Sequence, residues 1–247
     1  RGWSFRLRCT HRHASLTLTT KLAAIKNGPT HGHPGSCASI TITPANDPPI
    51  LALATTPLTY VENALPTSVD ASAALADDSA NFDGGTLKVE FITNGQAEDR
   101  LGIRHQGMGA GQIGVSGTSV MYQGVGIGTL DGGVGTTPLV VNLNAGATPL
   151  ITQALVRNIT YWNVSDNPIM DLRTVQIVIS DGHGGTSAPK TRLIKITPLN
   201  DPPAMSLPGD PLNYTENDPP TIIEAGATVK DVDSADFNLG RLTVDFS

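Results

Sequence analysis

The sequence has little of several features that define common protein classes. Only two of its 247 residues are cysteine, so a disulfide scaffold is excluded. Aromatic residues make up 4% and charged residues 15% of the chain. No run approaches the roughly 18 consecutive apolar residues of a transmembrane helix, so no segment is expected to span a membrane. The hydrophobic fraction of 39% is nevertheless too high for a disordered acidic tail.

What the chain has in abundance is glycine, with 26 residues, and proline, with 18. This composition, with few Lys and Glu, argues against a helical protein and for an all-β one. The charges are unevenly placed, because residues 1–45 hold six of the 16 Lys and Arg residues and no acid. Residues 46–247 therefore hold ten basic residues against all 22 acids, and the formal net charge of −6 averages two unlike segments.

Short sequence motifs recur along the chain at a nearly constant offset. The complete repeat is predicted at residues 46–199, the opening of the next at 200–247, and the last strand of a preceding one at the end of residues 1–45. The matched pairs are Asn46-Asp47-Pro48-Pro49 with Asn200-Asp201-Pro202-Pro203, Tyr60-Val61-Glu62-Asn63 with Tyr214-Thr215-Glu216-Asn217, Asp78-Ser79-Ala80 and Phe82 with Asp233-Ser234-Ala235 and Phe237, and residues 40–44 with 194–198.

Residues 1–38 do not continue this repeat backwards. We interpret them as foreign to it, through a reading-frame error in the source sequence or a divergent insertion. Two other readings stay open. The six basic residues of this segment are typical of a nucleic-acid arm, although no nucleic-acid partner is expected. The segment also carries the residue types of a zinc site, namely Cys9, His11, His13, His31, His33 and Cys37.

Strand patterns fill the complete repeat. Residues 86–91 alternate apolar and polar side chains, residues 175–179 are apolar enough for burial on both faces, and residues 192–197 form a third predicted strand. Asp83-Gly84-Gly85 and Asp181-Gly182 supply the positive φ angles that tight turns need.

The middle of the repeat is rich in glycine. Residues 102–146 hold 13 of the 26 glycines, interleaved with apolar residues, which predicts short strands and wide turns. Residues 149–158 have helix-like spacing at Leu150, Ala154 and Leu155, which predicts one short helix. Together these patterns predict an all-β fold, a Greek-key β-sandwich with an enlarged Gly-rich middle.

The acidic residues of the repeat lie between the predicted strands. Oxygen ligands from loops suit Ca²⁺, a hard cation that takes about 6–8 of them in flexible geometry. The carboxylates of Asp231-Val232-Asp233 point to one side of an extended segment and repel each other without a cation between them. The alternative is that these acids serve only as turn formers, because Asp and Asn side chains hydrogen-bond to nearby backbone in turns.

At this point the sequence resembles the cadherin-like repeats of large bacterial surface and secreted proteins, over residues 39–247. The resemblance is carried by Glu62-Asn63 with Pro66, Asp78-Ser79, Asp99-Arg100, Asp181-Gly182 and the two Asn-Asp-Pro-Pro sequences. In that family Ca²⁺ binds where successive repeats meet and stiffens the rod. This sequence departs from the family pattern in two places. Ala76-Asp77-Asp78 stands where the family has Asp-x-Asp, and the repeat is longer than a usual cadherin repeat.

The resemblance implies two calcium sites. The ligands of the junction with the next repeat are Glu62, Asp99, Asn200, Asp201, Asp231 and Asp233. Those of the preceding junction are Asn46, Asp47, Asp77, Asp78 and Asp181.

The expected function is a calcium-binding extracellular module, a stalk or cell-adhesion segment of a larger bacterial protein that is secreted or held at the cell surface. Its expected partners are neighbouring repeats of the same chain and a cell-surface protein or glycan. The alternatives are a module that binds carbohydrate or protein through residues 102–146, and a spacer in an exoenzyme. The chain itself is not expected to be an enzyme, because no nucleophile elbow occurs and Gly107-x-Gly109-x-Gly111 does not precede a helix.

Overall fold

A computed structural model describes residues 45–245 and, nearer the N-terminus, two short strands. The chain divides into two units, residues 1–45 and 46–247. In the first unit β1 (Trp3–Ser4) pairs antiparallel with β2 (Thr41–Ile42). The other residues of the 1–38 segment lie outside the described residues. They include the cysteines and histidines of the zinc alternative, so every interpretation of this segment stays a prediction.

The second unit is an all-β sandwich with one short helix among its described residues. This confirms the predicted all-β sandwich, while the Greek-key and cadherin-like assignments stay predictions. The elements are β3 (Ile50–Ala52), β4 (Leu58–Val61), β5 (Thr67–Ser68), β6 (Ala74–Ala76), β7 (Thr86–Thr93), β8 (Asp99–Ile103), β9 (Ile113–Ser116), β10 (Ser119–Tyr122), β11 (Val125–Asp131), β12 (Leu139–Leu143), α1 (Pro149–Arg157), β13 (Ile159–Asn163), β14 (Arg173–Ser180), β15 (Lys190–Thr197), β16 (Ala204–Ser206) and β17 (Thr228–Lys230).

One large sheet and several small ones build the sandwich. Eight strands follow the order β4-β15-β14-β7-β12-β11-β10-β9, in which β4 pairs parallel with β15. A smaller sheet has the order β5-β13-β8, and β3 pairs with β6. Buried side chains of both sheets form one core, and Tyr161 of the smaller sheet packs edge-on against Tyr60 of the larger one, with ring centroids 5.1 Å apart.

The predicted strands are confirmed and extend beyond their predicted ends. Residues 86–91 lie in β7, residues 175–179 in β14 and residues 192–197 in β15. In β14 fully buried residues alternate with half-buried ones, so one face lies in the core and the other is only partly covered. The alternation arises because successive side chains of a strand point to opposite faces.

The Gly-rich middle forms β9 to β12, which extend the large sheet on one side as a meander of antiparallel strands. The helix is also confirmed and spans Pro149–Arg157. The side-chain oxygen of Thr148 caps it by accepting a hydrogen bond from the backbone N–H of Ile151, and proline stands at its first position, where no N–H is needed. Its buried face carries Thr152, Leu155 and Val156, whereas Leu150 is exposed.

Two glycines with positive φ occupy the turn before β7 and the turn after β14. Gly84 has a φ of 74° and Gly182 a φ of 78°, as the turn sequences predict. Gly85 is required for a different reason, since a Cβ atom there would lie 2.2 Å from the carbonyl oxygen of Ser180. Close backbone approach therefore selects glycine at this point where β7 and β14 meet.

The opening of the next repeat reproduces the local geometry of the first. β16 pairs with β17 in the same register as β3 with β6, shifted by the repeat offset, since Ile50 opposes Ala76 and Ala204 opposes Lys230. The hydroxyl of Tyr60 donates to the carbonyl of Ala64, and that of Tyr214 donates to the carbonyl of Asp218. The repeated sequence therefore encodes the same local turns and strand pairing twice.

The burial of these two segments differs sharply. Tyr60, Phe82 and Leu87 are at most 1% exposed, whereas their equivalents Tyr214, Phe237 and Leu242 are 55%, 49% and 70% exposed. Among the described residues, 204–245 contribute only the β16–β17 pair, with no further strands to cover these side chains. No helix in the described part of the chain is long and apolar enough to cross a membrane.

Candidate metal centres

Five predicted ligands form the upstream cluster, in which direct contacts link Asn46 to Asp181 and Asp47 to Asp78. Asn46 donates from Nδ2 to Oδ2 of Asp181 at 2.7 Å, and the backbone N–H of Asp47 donates to Oδ1 of Asp78 at 3.2 Å. Ser79 connects Asp77 to the cluster. Its hydroxyl donates to Oδ1 of Asn46, and its backbone N–H donates to Oδ1 of Asp77. The other oxygen of Asp77 is buried and has no hydrogen-bond partner.

Asp181 is the buried anchor of the upstream cluster, with no exposed surface. Its Oδ1 accepts hydrogen bonds from the backbone N–H groups of His183 and Gly185, at 2.7 and 2.9 Å. Burial opposes its ionisation, but the hydrogen bonds from Asn46 and from these two N–H groups outweigh it and hold the pKa of Asp181 below its ordinary value. Gly185 permits this arrangement, since a Cβ atom there would lie 2.2 Å from Oδ2 of Asp181.

Replacing Asp181 by asparagine is expected to lower the free energy of unfolding at pH 7 by roughly 1–3 kcal/mol, because a buried acceptor of several N–H groups loses its charge. The folded-state pKa of Asp181 is lowered, so its contribution is complete above the unfolded pKa of about 4 and is lost as the pH falls through the folded value. Urea unfolding at pH 7 and at about pH 2 measures this difference.

The matched control is Asp131→Asn, at an exposed aspartate that also precedes a glycine. Its effect should stay within about 0.5 kcal/mol at both pH values. A loss in Asp181→Asn that is equally large at low pH would contradict an electrostatic role for Asp181.

The downstream cluster comprises Glu62, Asn200, Asp201, Asp231 and Asp233. Glu62 is 2% exposed, and its Oε2 accepts a hydrogen bond from the backbone N–H of Leu199 at 2.7 Å. The backbone N–H of Asp201 donates to Oδ2 of Asp233 at 3.2 Å, the same bond that joins Asp47 to Asp78 in the upstream cluster. Asn200 is exposed and donates from Nδ2 to the carbonyl of Asp201 at 2.9 Å.

Negative charge accumulates in the downstream cluster. Burial and then the charges of Asp166, Asp233 and Asp231 raise the pKa of Asp201. Asp231 responds in the opposite direction, because hydrogen bonds from Ser234 and Asp233 outweigh desolvation and lower its pKa. Asp166 was not among the predicted ligands, although it lies in a Ser-Asp-Asn-Pro loop and offers the same carboxylate oxygens as the predicted ligands.

The loop that carries Asp166 touches the next repeat. Asn167 donates from Nδ2 to the carbonyl of Val232 at 2.9 Å, which places the two loops side by side. The hydroxyl of Ser165 accepts the N–H of Asn167 and shapes this turn. Asp166 therefore joins the downstream cluster from a third segment of chain.

Several carboxylate oxygens of these clusters are buried without a donor. They are Oε1 of Glu62, Oδ2 of Asp201 and Oδ1 of Asp233 in the downstream cluster, and Oδ2 of Asp77 in the upstream one. A buried anionic oxygen without a partner costs free energy, and at Asp201 the charges of Asp166, Asp233 and Asp231 add to this cost. The donor set consists of oxygens alone, which fits a hard divalent cation.

Asp99 has a different environment from the other predicted ligands. It is fully buried, and its Oδ1 accepts from the hydroxyl of Tyr161 at 2.6 Å and from Nδ2 of Asn163 at 2.7 Å. Its Oδ2 accepts from the backbone N–H of Gln96 at 2.8 Å and from Nε of Arg173 at 3.2 Å. These four donors occupy about all the lone-pair positions of a carboxylate. Asp99 thus holds the core together, and its assignment as a ligand stays a prediction.

Arg173 completes this internal network. Its Nη1 donates to the carbonyls of Ile169 and Asp171, which ties the loop before β14 to the buried ion pair. Burial, together with the hydrogen bond to Asp99 and its charge, raises the pKa of Tyr161. The side chain of Tyr161 therefore stays a neutral donor.

Within residues 45–245, no three His, Cys, Asp or Glu side chains are gathered into a ready-made metal-binding group. The geometry defines an all-β sandwich with acidic clusters where its repeats begin and end. No protein-family model, curated protein or solved structure matches the chain.

Proposed function

We propose that this chain is a calcium-binding repeat module, a structural stalk or cell-adhesion segment of an extracellular or cell-surface protein. The observation that carries the proposal is the set of buried carboxylate oxygens without donors, which occurs where the repeat begins and again where the next one begins. An ion that binds such oxygens removes both their mutual repulsion and their unmet hydrogen-bonding capacity.

The residues of the downstream cluster come from both repeats. Glu62 belongs to the complete repeat, whereas Asp201, in the Asn-Asp-Pro-Pro sequence, and Asp233 belong to the next repeat. A Ca²⁺ ion held by all three would couple the repeats, and the prolines at 198, 202 and 203 already stiffen the connection. This is the property that a stalk or an adhesion rod requires.

Calcium is expected to stabilise the folded chain by mass action. For a dissociation constant of about 10⁻⁴–10⁻³ M, typical of extracellular modules, about 10 mM Ca²⁺ adds roughly 1.4–2.7 kcal/mol per site. Thermal unfolding of the full chain in EDTA, in Ca²⁺ and in Mg²⁺ measures this gain, and isothermal titration calorimetry counts the sites. An unfolding temperature that does not change on adding Ca²⁺ would refute the proposal.

Single carboxylate-to-amide variants locate the ion. Glu62→Gln should leave the calcium-free stability unchanged or higher, because it removes a buried charge whose Oε1 has no donor, but it should reduce the calcium-dependent gain. Asp233→Asn should also reduce the gain. Asp210→Asn is the control, since this exposed acid lies outside both clusters. Equal gains in all three variants would show that calcium binds elsewhere.

A further inference from the structure

A cleft of about 380 Å³ lies between α1 and the Gly-rich middle, within the size range of small-molecule sites. One face of α1, from Leu150 to Arg157, forms one wall, and the loop after β8 and the end of β10 form the other. Among its lining residues are two cations, Arg104 and Arg157, and no acid. This positive lining is unusual, because acidic residues outnumber basic ones by 22 to ten in residues 46–247.

Both arginines are fixed through one nitrogen only. Arg104 donates from Nε to Oδ1 of Asn158 at 3.0 Å, and its backbone N–H donates to the carbonyl of the same residue at 2.8 Å. Arg157 donates from Nε to the carbonyl of Ala73 at 2.7 Å. The terminal nitrogens of both guanidinium groups have no protein acceptor in the described part of the chain. Each fork is therefore oriented in advance but keeps donors for a ligand.

Two glutamines of the cleft add further donors. The carboxamide oxygen of Gln106 accepts from the backbone N–H of Ile113, and that of Gln153 accepts from the backbone N–H of Leu75, each at 3.0 Å. These bonds orient the two carboxamides, and neither Nε2 group has an acceptor among the described residues. The charged and amide groups of the cleft thus offer donors, which suits an anionic ligand rich in oxygen.

The loop opposite α1 has a defined shape. The backbone N–H of Gly109 donates to Oε1 of Gln112 at 2.8 Å, and a Cβ atom at Gly107 would lie 2.5 Å from the same oxygen. Gly107 also has a φ of 136°, which side chains rarely adopt. The backbone conformation therefore favours glycine at this position, and the neighbouring Gln106 lines the cleft.

We propose that this cleft binds the carboxylate of an acidic sugar, such as a uronate unit of a surface glycan. The two guanidinium forks match a carboxylate, and the glutamine amides suit ring hydroxyls. The half-buried ring of Tyr122 and the exposed side chain of Leu150 provide apolar surface for the C–H face of a sugar ring. The site lies apart from both acidic clusters in sequence and has no carboxylate, so it does not require calcium.

The test titrates the full chain with trigalacturonate and, as the neutral counterpart, with an uncharged trisaccharide, each in EDTA and at about 0.15 M salt. Binding of trigalacturonate alone is expected, weakened roughly 10- to 100-fold in Arg104→Gln and Arg157→Gln. Arg104→Lys should weaken binding less than Arg104→Gln because it keeps the charge but loses the fork. Arg241→Gln, at an exposed arginine elsewhere, should bind like the unmodified chain.

Thermal unfolding of each variant shows whether it is folded, so that lost binding is read only from folded protein. Equal binding of the neutral trisaccharide would overturn the proposal, as would unchanged affinity in the Arg104→Gln/Arg157→Gln double variant. Binding that appears only with calcium would place the sugar at the acidic clusters instead. A sulfated sugar or an acidic peptide that binds more tightly than trigalacturonate would overturn the assignment to a sugar carboxylate.

Discussion

Replacing Arg173 by methionine is expected to lower the free energy of unfolding by about 3–5 kcal/mol, because it leaves the charge of Asp99 buried without its cation. Both side chains are fully buried, and the ion pair spans the smaller sheet and β14 at 3.2 Å. The variant also loses the donors to the carbonyls of Ile169 and Asp171. Urea-induced unfolding at pH 7 measures the loss.

A double-mutant cycle separates the ion pair from simple packing. In an Asp99→Asn background, Arg173→Met should cost clearly less than in the unmodified chain, with a coupling of about 0.5–3 kcal/mol. The surface control is Arg241→Met, which should change stability by no more than about 0.5 kcal/mol. Additive effects of the Asp99 and Arg173 substitutions would show that the two charges do not stabilise each other.

Replacing Phe82 by alanine is expected to cost about 3–5 kcal/mol, the usual loss for a fully buried phenylalanine. The repeat supplies the matched control, because Phe237 occupies the equivalent position in the same sequence context. Phe237 is 49% exposed against 0% for Phe82, so Phe237→Ala should cost less than about 1 kcal/mol.

Calorimetric or urea unfolding of both variants under the same conditions makes the comparison direct. The backbone N–H of Phe82 donates to the carbonyl of Ala147, which ties Phe82 to the loop before α1. The described part of the chain has no corresponding contact at Phe237. Similar losses in the two variants would show that Phe237 is as well covered as Phe82.

Much of the fold could be predicted because its signals are local. Alternating apolar residues predicted β7, and the helix-like spacing of Leu150, Ala154 and Leu155 predicted α1. Gly84 and Gly182 occupy the positive-φ positions that their turn sequences indicate. The order of the strands was not predicted, since the pairing of β4 with β15 joins segments that lie far apart in sequence.

The site was predicted in part. The resemblance to cadherin-like repeats supplied the predicted ligands, whose role stays a prediction, and the structure brings Asp47 to Asp78 and Asp201 to Asp233 through equivalent hydrogen bonds. Asp166 was missed because it lies outside the short sequence motifs that recur in the repeats. It reaches the cluster only through the packing of its loop against Val232. The arginine cleft was missed for a similar reason, because Arg104 and Arg157 are far apart in sequence and line one cleft only in the folded chain.

The sequence by itself determined the all-β class, the repeat, the turns and the short helix, because each depends on residues that are neighbours in the chain. It also determined the small number of cysteines and the uneven charge, since the acids all lie in residues 46–247. Only the tertiary structure decided burial. Tyr60 and Tyr214 share their turn and hydrogen bond, yet one lies in the core and the other is 55% exposed. The reason is that burial depends on which distant strands pack over a residue. The same dependence makes Asp99 a buried partner of Arg173, while its assignment as a calcium ligand stays a prediction.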